Sequence, residues 1–156
     1  MQLAPSPVGI LQPGALLAAK IGGASDEAGP AEHDAATALL GKSALIVEDE
    51  YIVGLEMVQT LKSWGLSVTG PVQTLSDAEK AGEASKWSCA ILDVNLDGKD
   101  TLDLARKLHA RGVVVVFVTA YAGNDVRFAG DLSAIPRLGK PIPYRTLRRI
   151  ITDALG

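Results

Sequence analysis

From residue 44 onward, short apolar runs alternate with amphipathic stretches, and the alternation predicts the elements. Ala44-Leu45-Ile46-Val47 is the first apolar run and gives way to Glu48-Asp49-Glu50. Ile52, Leu55, Val58 and Leu61 then recur at helical spacing, and Gly65 supplies a C-terminal cap. Residues 66–72 suit a second, more exposed strand. Ser76 reads as an N-cap, with Asp77 and Glu79 in the first turn of a helix reaching Ala84. Cys89-Ala90-Ile91-Leu92 is the third run and stops at Asp93, and residues 101–111 form a helix closed by Gly112. Residues 113–118 are apolar throughout and stop at Thr119. Between Tyr121 and Pro136, the breaks at Gly123, Gly130 and Pro136 leave room only for a stunted helix around residues 125–129. Arg137-Leu138-Gly139 forms a short last strand ending at Lys140. Pro143 then opens a final helix with Tyr144, Leu147, Ile151 and Leu155 on one face.

Strands alternating with helices at this spacing predict an α/β fold, a doubly wound five-stranded parallel sheet with helices on both faces. The first, third and fourth strands lack polar positions, as strands buried on both faces should. The N-terminal stretch breaks the pattern. Ala, Gly and Pro fill 20 of the first 43 positions, and neither a two-residue nor a 3.6-residue period persists. A short helix over residues 31–40 fits, but residues 1–42 read mainly as a disordered, low-complexity tail ahead of a domain at residues 43–156.

Composition narrows the classes. Apolar residues at 47% and charged residues at 21% fit a globular domain, and a net charge of −3 gives no basic face for nucleic acid. The longest apolar run falls far short of the roughly 20 residues that span a membrane. No basic residues open a secretory leader, so the expected location is the cytoplasm. One cysteine, Cys89, excludes an internal disulfide and a cysteine metal cluster, and its apolar neighbours predict a buried, inert thiol.

Ligands bind outside the carboxyl ends of the strands in an open α/β sheet. Those ends carry Glu48 and Asp49, then Asp93, Thr119 and Lys140. Carboxylates gathered so closely repel one another unless a cation neutralises them. The donors are oxygens with no histidine nearby, so a hard ion, Mg²⁺ or Mn²⁺, suits the set better than zinc. A carboxylate nucleophile, a metal, a lysine and a hydroxyl together suit phosphoryl transfer, in which positioning and charge neutralisation do most of the work. Taken singly, each residue is more simply a helix cap or solvated filler. The functional reading rests on all five falling at the ends of successive strands.

These residues resemble the receiver domains of two-component response regulators, whose fold is the flavodoxin-like (βα)5 sheet. Residues 44–50 resemble the strand with its acidic pair, and Ile91-Leu92-Asp93-Val94-Asn95-Leu96 resembles the phosphoacceptor strand. Val118-Thr119-Ala120 and Gly139-Lys140-Pro141 resemble the hydroxyl and lysine motifs. The resemblance implies Asp93 as phosphoacceptor and a direct metal ligand in Asp49. It adds Glu48 through water and a backbone carbonyl from Asn95. Thr119, Lys140 and the amide of Ala120 would hold phosphoryl oxygens, and the Lys140-Pro141 bond would be cis. Arg137 departs from the pattern, since most receivers place an aromatic three residues before the lysine. Tyr121, two residues after Thr119, is instead the candidate switch aromatic. Phe117-Val118-Thr119-Ala120-Tyr121 is similar to the Phe-Ala-Thr-Gly-Tyr motif of certain alphaproteobacterial single-domain receivers.

The expected function is therefore a phosphoacceptor signalling module, not an enzyme, fed by a histidine kinase or histidine phosphotransfer protein. It would act on an unknown downstream protein without an output domain. Nucleic acid and membrane are not expected partners. Arg145, Arg148 and Arg149 read as a solvated face of the last helix, or as a docking patch for the kinase. Two other readings stand beside this one: a pseudoreceiver that binds a partner without being phosphorylated, and a small hydrolase working through an aspartyl phosphate.

Overall fold

The structure, a computed structural model, describes residues 37–121, 123 and 125–156. Of the tail expected over residues 1–42, residues 1–36 lie outside the described residues. Five strands, β1 (Ser43–Val47), β2 (Ser67–Val72), β3 (Cys89–Asp93), β6 (Val114–Thr119) and β7 (Arg137–Gly139), form one sheet. They pair in parallel in the order β2-β1-β3-β6-β7. A two-residue antiparallel hairpin, β4 (Asn95–Leu96) with β5 (Lys99–Asp100), follows β3. The α-helices are α1 (Tyr51–Ser63), α2 (Leu75–Ala84), α3 (Leu102–Ala110) and α4 (Tyr144–Leu155).

Side chains alternate across a strand, and here both faces are covered. Ala44, Ile46, Cys89, Ile91, Val116 and Val118 pack with α1 and α4. Leu45, Val47, Ala90, Leu92, Val115 and Phe117 pack with α2, α3 and the chain between β6 and β7. The uninterrupted apolar runs thus reflect double burial.

In the fourth β/α unit the stunted helix expected around residues 125–129 is a pair of short 3₁₀ turns, Val126–Phe128 and Gly130–Leu132, so the described residues form a five-stranded sheet with four α-helices. This segment delivers Phe128, Leu132 and Ile135 to the core. Other expectations need correction. The boundary at residues 42/43 falls too late. Leu39 is fully buried among Met57, Leu61 and Ile151, and Lys42 offers its carbonyl to Ser67 N. Residues 37–42 belong to the packed unit. Helix α2 is capped by Thr74, whose hydroxyl accepts from Asp77 N at 3.2 Å, and not by Ser76.

Helix α1 buries only part of the stripe its apolar spacing marks. Val58 and Leu61 are buried, together with Gly54 and Met57, whereas Ile52 is 79% exposed and Leu55 also reaches solvent. Gly54 marks the buried side of the first turns. A Cβ there would collide with the Pro71 side chain, so a glycine lets the helix lie directly on the end of β2.

Candidate functional site

Strand order places the site. The winding reverses between β1 and β3, and the carboxyl ends of those strands open a crevice there. Glu48, immediately after β1, is fully buried, and Asp93, the last residue of β3, is nearly so. The carboxylates of Glu48, Asp49 and Asp93 offer oxygens all within 4.8 Å of one another. Lys140 enters from the end of β7, its Nζ 2.8 Å from Asp93 Oδ2 and 2.9 Å from Glu48 Oε2. The bond to Asp93 is a well-formed hydrogen bond. The contact with Glu48 is an ion pair at an angle that leaves Glu48 Oε2 without a hydrogen bond of its own.

Burial pushes the Glu48 carboxyl up to about 7, and the charge of Asp93 adds to this, while Lys140 and the Glu50 amide pull the other way. Burial alone would discharge Lys140. Its hydrogen bond to Asp93 and its ion pair with Glu48 together outweigh that and hold the ammonium above its ordinary range.

Each carboxylate is oriented from behind. Asn95 N donates to Asp93 Oδ1 at 3.1 Å, and the buried Thr101 hydroxyl donates to the Asp93 carbonyl at 2.7 Å. Glu50 N donates to Glu48 Oε1. Asp97 N donates to Asp49 Oδ2 at 3.1 Å from the tip of the β4–β5 hairpin, while Gln73 donates to the Asp49 carbonyl. Local pattern along the chain points to few of these supports. The hairpin carried a signal, the Asp97-Gly98 dipeptide, whose residues both adopt positive φ as a type I′ turn requires. Thr101 and Gln73 carried none, because each acts across the fold.

Thr119 ends β6 beside this cluster, but its hydroxyl is turned along the chain. It accepts from Tyr121 N at 3.1 Å and donates to the Tyr121 carbonyl at 3.3 Å. The Tyr121 ring is 87% exposed. Ala120, Asn95 and Tyr121 line, with Asp93, Thr119 and Lys140, a cavity of about 180 Å³. The Lys140-Pro141 bond is cis. Arg137 stacks its guanidinium 4.4 Å from the centre of the Phe128 ring, which meets Phe117 edge to face.

The oxygen donors suit a divalent cation. Three carboxylates against one ammonium leave the cluster negative, Glu48 Oε2 lacks a donor, and hard cations take oxygen ligands at this spacing.

A doubly wound sheet with an acidic cluster at its switch point, a lysine paired with that cluster and a threonine at the next strand end beside it, defines the receiver class of signalling module. The chain belongs to the response regulator receiver domain family, which matches residues 44–152. The transcriptional regulatory protein PdtaR of Mycobacterium tuberculosis is 28% identical over 114 residues, 72% of this chain and 56% of its own length. The chain thus spans about half the length of the curated relatives it matches. The receiver domain of the response regulator PhyR from Erythrobacter litoralis is 27% identical, with a TM-score of 0.63, covering 76% of this chain and 92% of that one. The receiver domain of the sensor histidine kinase PA1611 from Pseudomonas aeruginosa PAO1 is also 27% identical, with a TM-score of 0.63, covering 74% of this chain and 98% of that one. It was solved with a magnesium ion coordinated in its active site cleft. Among the described residues, no helix is long and apolar enough to cross a membrane.

Proposed function

We propose that this chain is a phosphoacceptor: Asp93 accepts a phosphoryl group from a histidine kinase or a histidine phosphotransfer protein, and the product acts through protein contacts. The observation that carries this reading is Lys140 Nζ at 2.8 Å from Asp93 Oδ2, with Glu48 and Asp49 beside them. An Asp93 carboxylate oxygen attacks phosphorus, the bond to the donor imidazole nitrogen breaks, and the imidazole leaves with the electron pair. Lys140 and Thr119 then meet the phosphoryl oxygens, and Thr119 must give up its contacts with Tyr121 to do so. Mg²⁺ or Mn²⁺, held by Asp49, Asp93 and Glu48, supplies charge neutralisation when bound. Asn95 contributes its carbonyl to that ion and Ala120 its amide to the phosphoryl group.

The pseudoreceiver reading has no support in a site whose acceptor, acid pair, lysine and threonine are all present. A hydrolase needs an acid/base near the nucleophile, and two residues on stands Asn95, which cannot titrate. Incubation with acetyl phosphate and Mg²⁺, followed by intact-mass measurement, tests the proposal. One phosphoryl adduct is expected on the wild type and none on Asp93→Asn. An adduct on Asp93→Asn at wild-type yield, or none on the wild type, overturns it.

A further inference from the structure

Glu50 occupies the N-cap of α1, where its negative charge favours the helix dipole, but its side chain makes no cap bond. Its carboxylate is turned to the site. Glu50 Oε1 lies 3.5 Å from Lys140 Nζ, and the side chain lines the same cavity as Asp93 and Thr119.

An ammonium has three N–H donors, and Lys140 faces three carboxylates: Asp93 at 2.8 Å, Glu48 at 2.9 Å and Glu50 at 3.5 Å. When Asp93 becomes an acyl phosphate it loses its anionic oxygen, and Lys140 must transfer to a phosphoryl oxygen. Glu48 is committed to the acidic cation cluster. Glu50 is the remaining described carboxylate in contact with Lys140, and at 66% exposed it is free to follow the ammonium.

We propose that Glu50 is a positioning residue that competes with the phosphoryl group for Lys140, weakening retention of the phosphoryl and favouring the resting arrangement. This rests on the assignment of Asp93 as phosphoacceptor. Glu50 takes no part in bond making. It acts through Lys140, and by repelling an anion in the cavity it lines. Between charges on a half-exposed rim, both effects are modest.

Beryllofluoride, titrated by calorimetry into the full chain at saturating Mg²⁺, probes the phosphoryl position without turnover. Glu50→Gln should bind it about threefold to tenfold more tightly than the wild type, a range set by the coupling of charges at such a rim. Glu50→Asp separates contact from charge. The shorter carboxylate is a good N-cap and turns to the α1 amides, keeping the charge but leaving Lys140. Its affinity should fall between the other two. If the wild type binds and Glu50→Gln binds equally or more weakly, or if Glu50→Asp matches the wild type, the inference is overturned while the phosphoacceptor reading stands. If the wild type itself binds no beryllofluoride, the phosphoacceptor assignment fails and this inference fails with it.

Discussion

At the scale of single residues, Asp49 differs from its neighbours in the cluster. Glu48 and Asp93 both contact Lys140, whereas the Asp49 carboxylate is held by the Asp97 amide. Its charge is therefore free for a cation. Asp49→Ala should weaken Mg²⁺ binding by at least about tenfold, since a hard ion loses a direct carboxylate ligand. Titration followed through the fluorescence of Trp64 and Trp87 measures this, and an unchanged affinity would move the metal elsewhere. Cys89 lies buried in β3, and burial pushes its thiol up to about 12, which fits the inert residue expected from its apolar setting. Arg137 was legible as a departure from the receiver pattern, but its stacking on Phe128 was not, because the two residues meet only after folding.

At the scale of elements, strand positions were the most legible feature. Apolar runs ending in a charged or hydroxyl residue located β1, β3 and β6, because double burial removes every polar position. Helix faces were less legible. Ile52 and Leu55 fit the helical period of α1, yet they face outward because Gly54 sits against Pro71. The N-terminal boundary was missed for a related reason. Leu39 follows an Ala-rich stretch with no period of its own, and its burial depends on α1 and α4. Leu39→Ala should destabilise the domain by about 2–5 kcal/mol, the usual cost of truncating a fully buried leucine. Urea denaturation reads this as a lower midpoint at constant slope. A change below roughly 0.5 kcal/mol, a surface-like effect, would remove Leu39 from the core.

At the scale of the whole molecule, two surfaces border the site. The first is the opening of α1, where Tyr51 and Ile52 are exposed immediately after the acidic residues. A donor protein delivering a phosphoryl group to Asp93, as proposed above, would meet these exposed side chains beside the site. Ile52→Glu should slow transfer from the cognate donor protein several-fold while leaving the acetyl phosphate reaction unchanged. Equal slowing of both reactions would show a defect in the site itself. The second surface is the segment between β6 and β7. Thr119 is tied to Tyr121 at rest, and the described part of this segment holds only 3₁₀ turns, which repay little of their nucleation cost. Moving Thr119 toward a phosphoryl oxygen releases Tyr121. Residues 121–134 should therefore change their amide exchange when beryllofluoride and Mg²⁺ bind, an order–disorder transition in place of a ring rotation. Equal exchange in both states, with changes confined to other segments, would rule this out.

By itself the sequence determined the order of strands and helices, the parallel sheet and the residues at the strand ends. Each of these follows from local periodicity and from the rule that strand ends open onto a crevice. Tertiary structure alone decided which face of α1 is buried and where the packed unit begins. It also decided that Asp97, Thr101, Gln73 and Glu50 lean on the site. All of these are contacts between residues distant in the chain. Such contacts depend on the space left when neighbouring elements pack, and a pattern read along one strand or helix carries no record of that space.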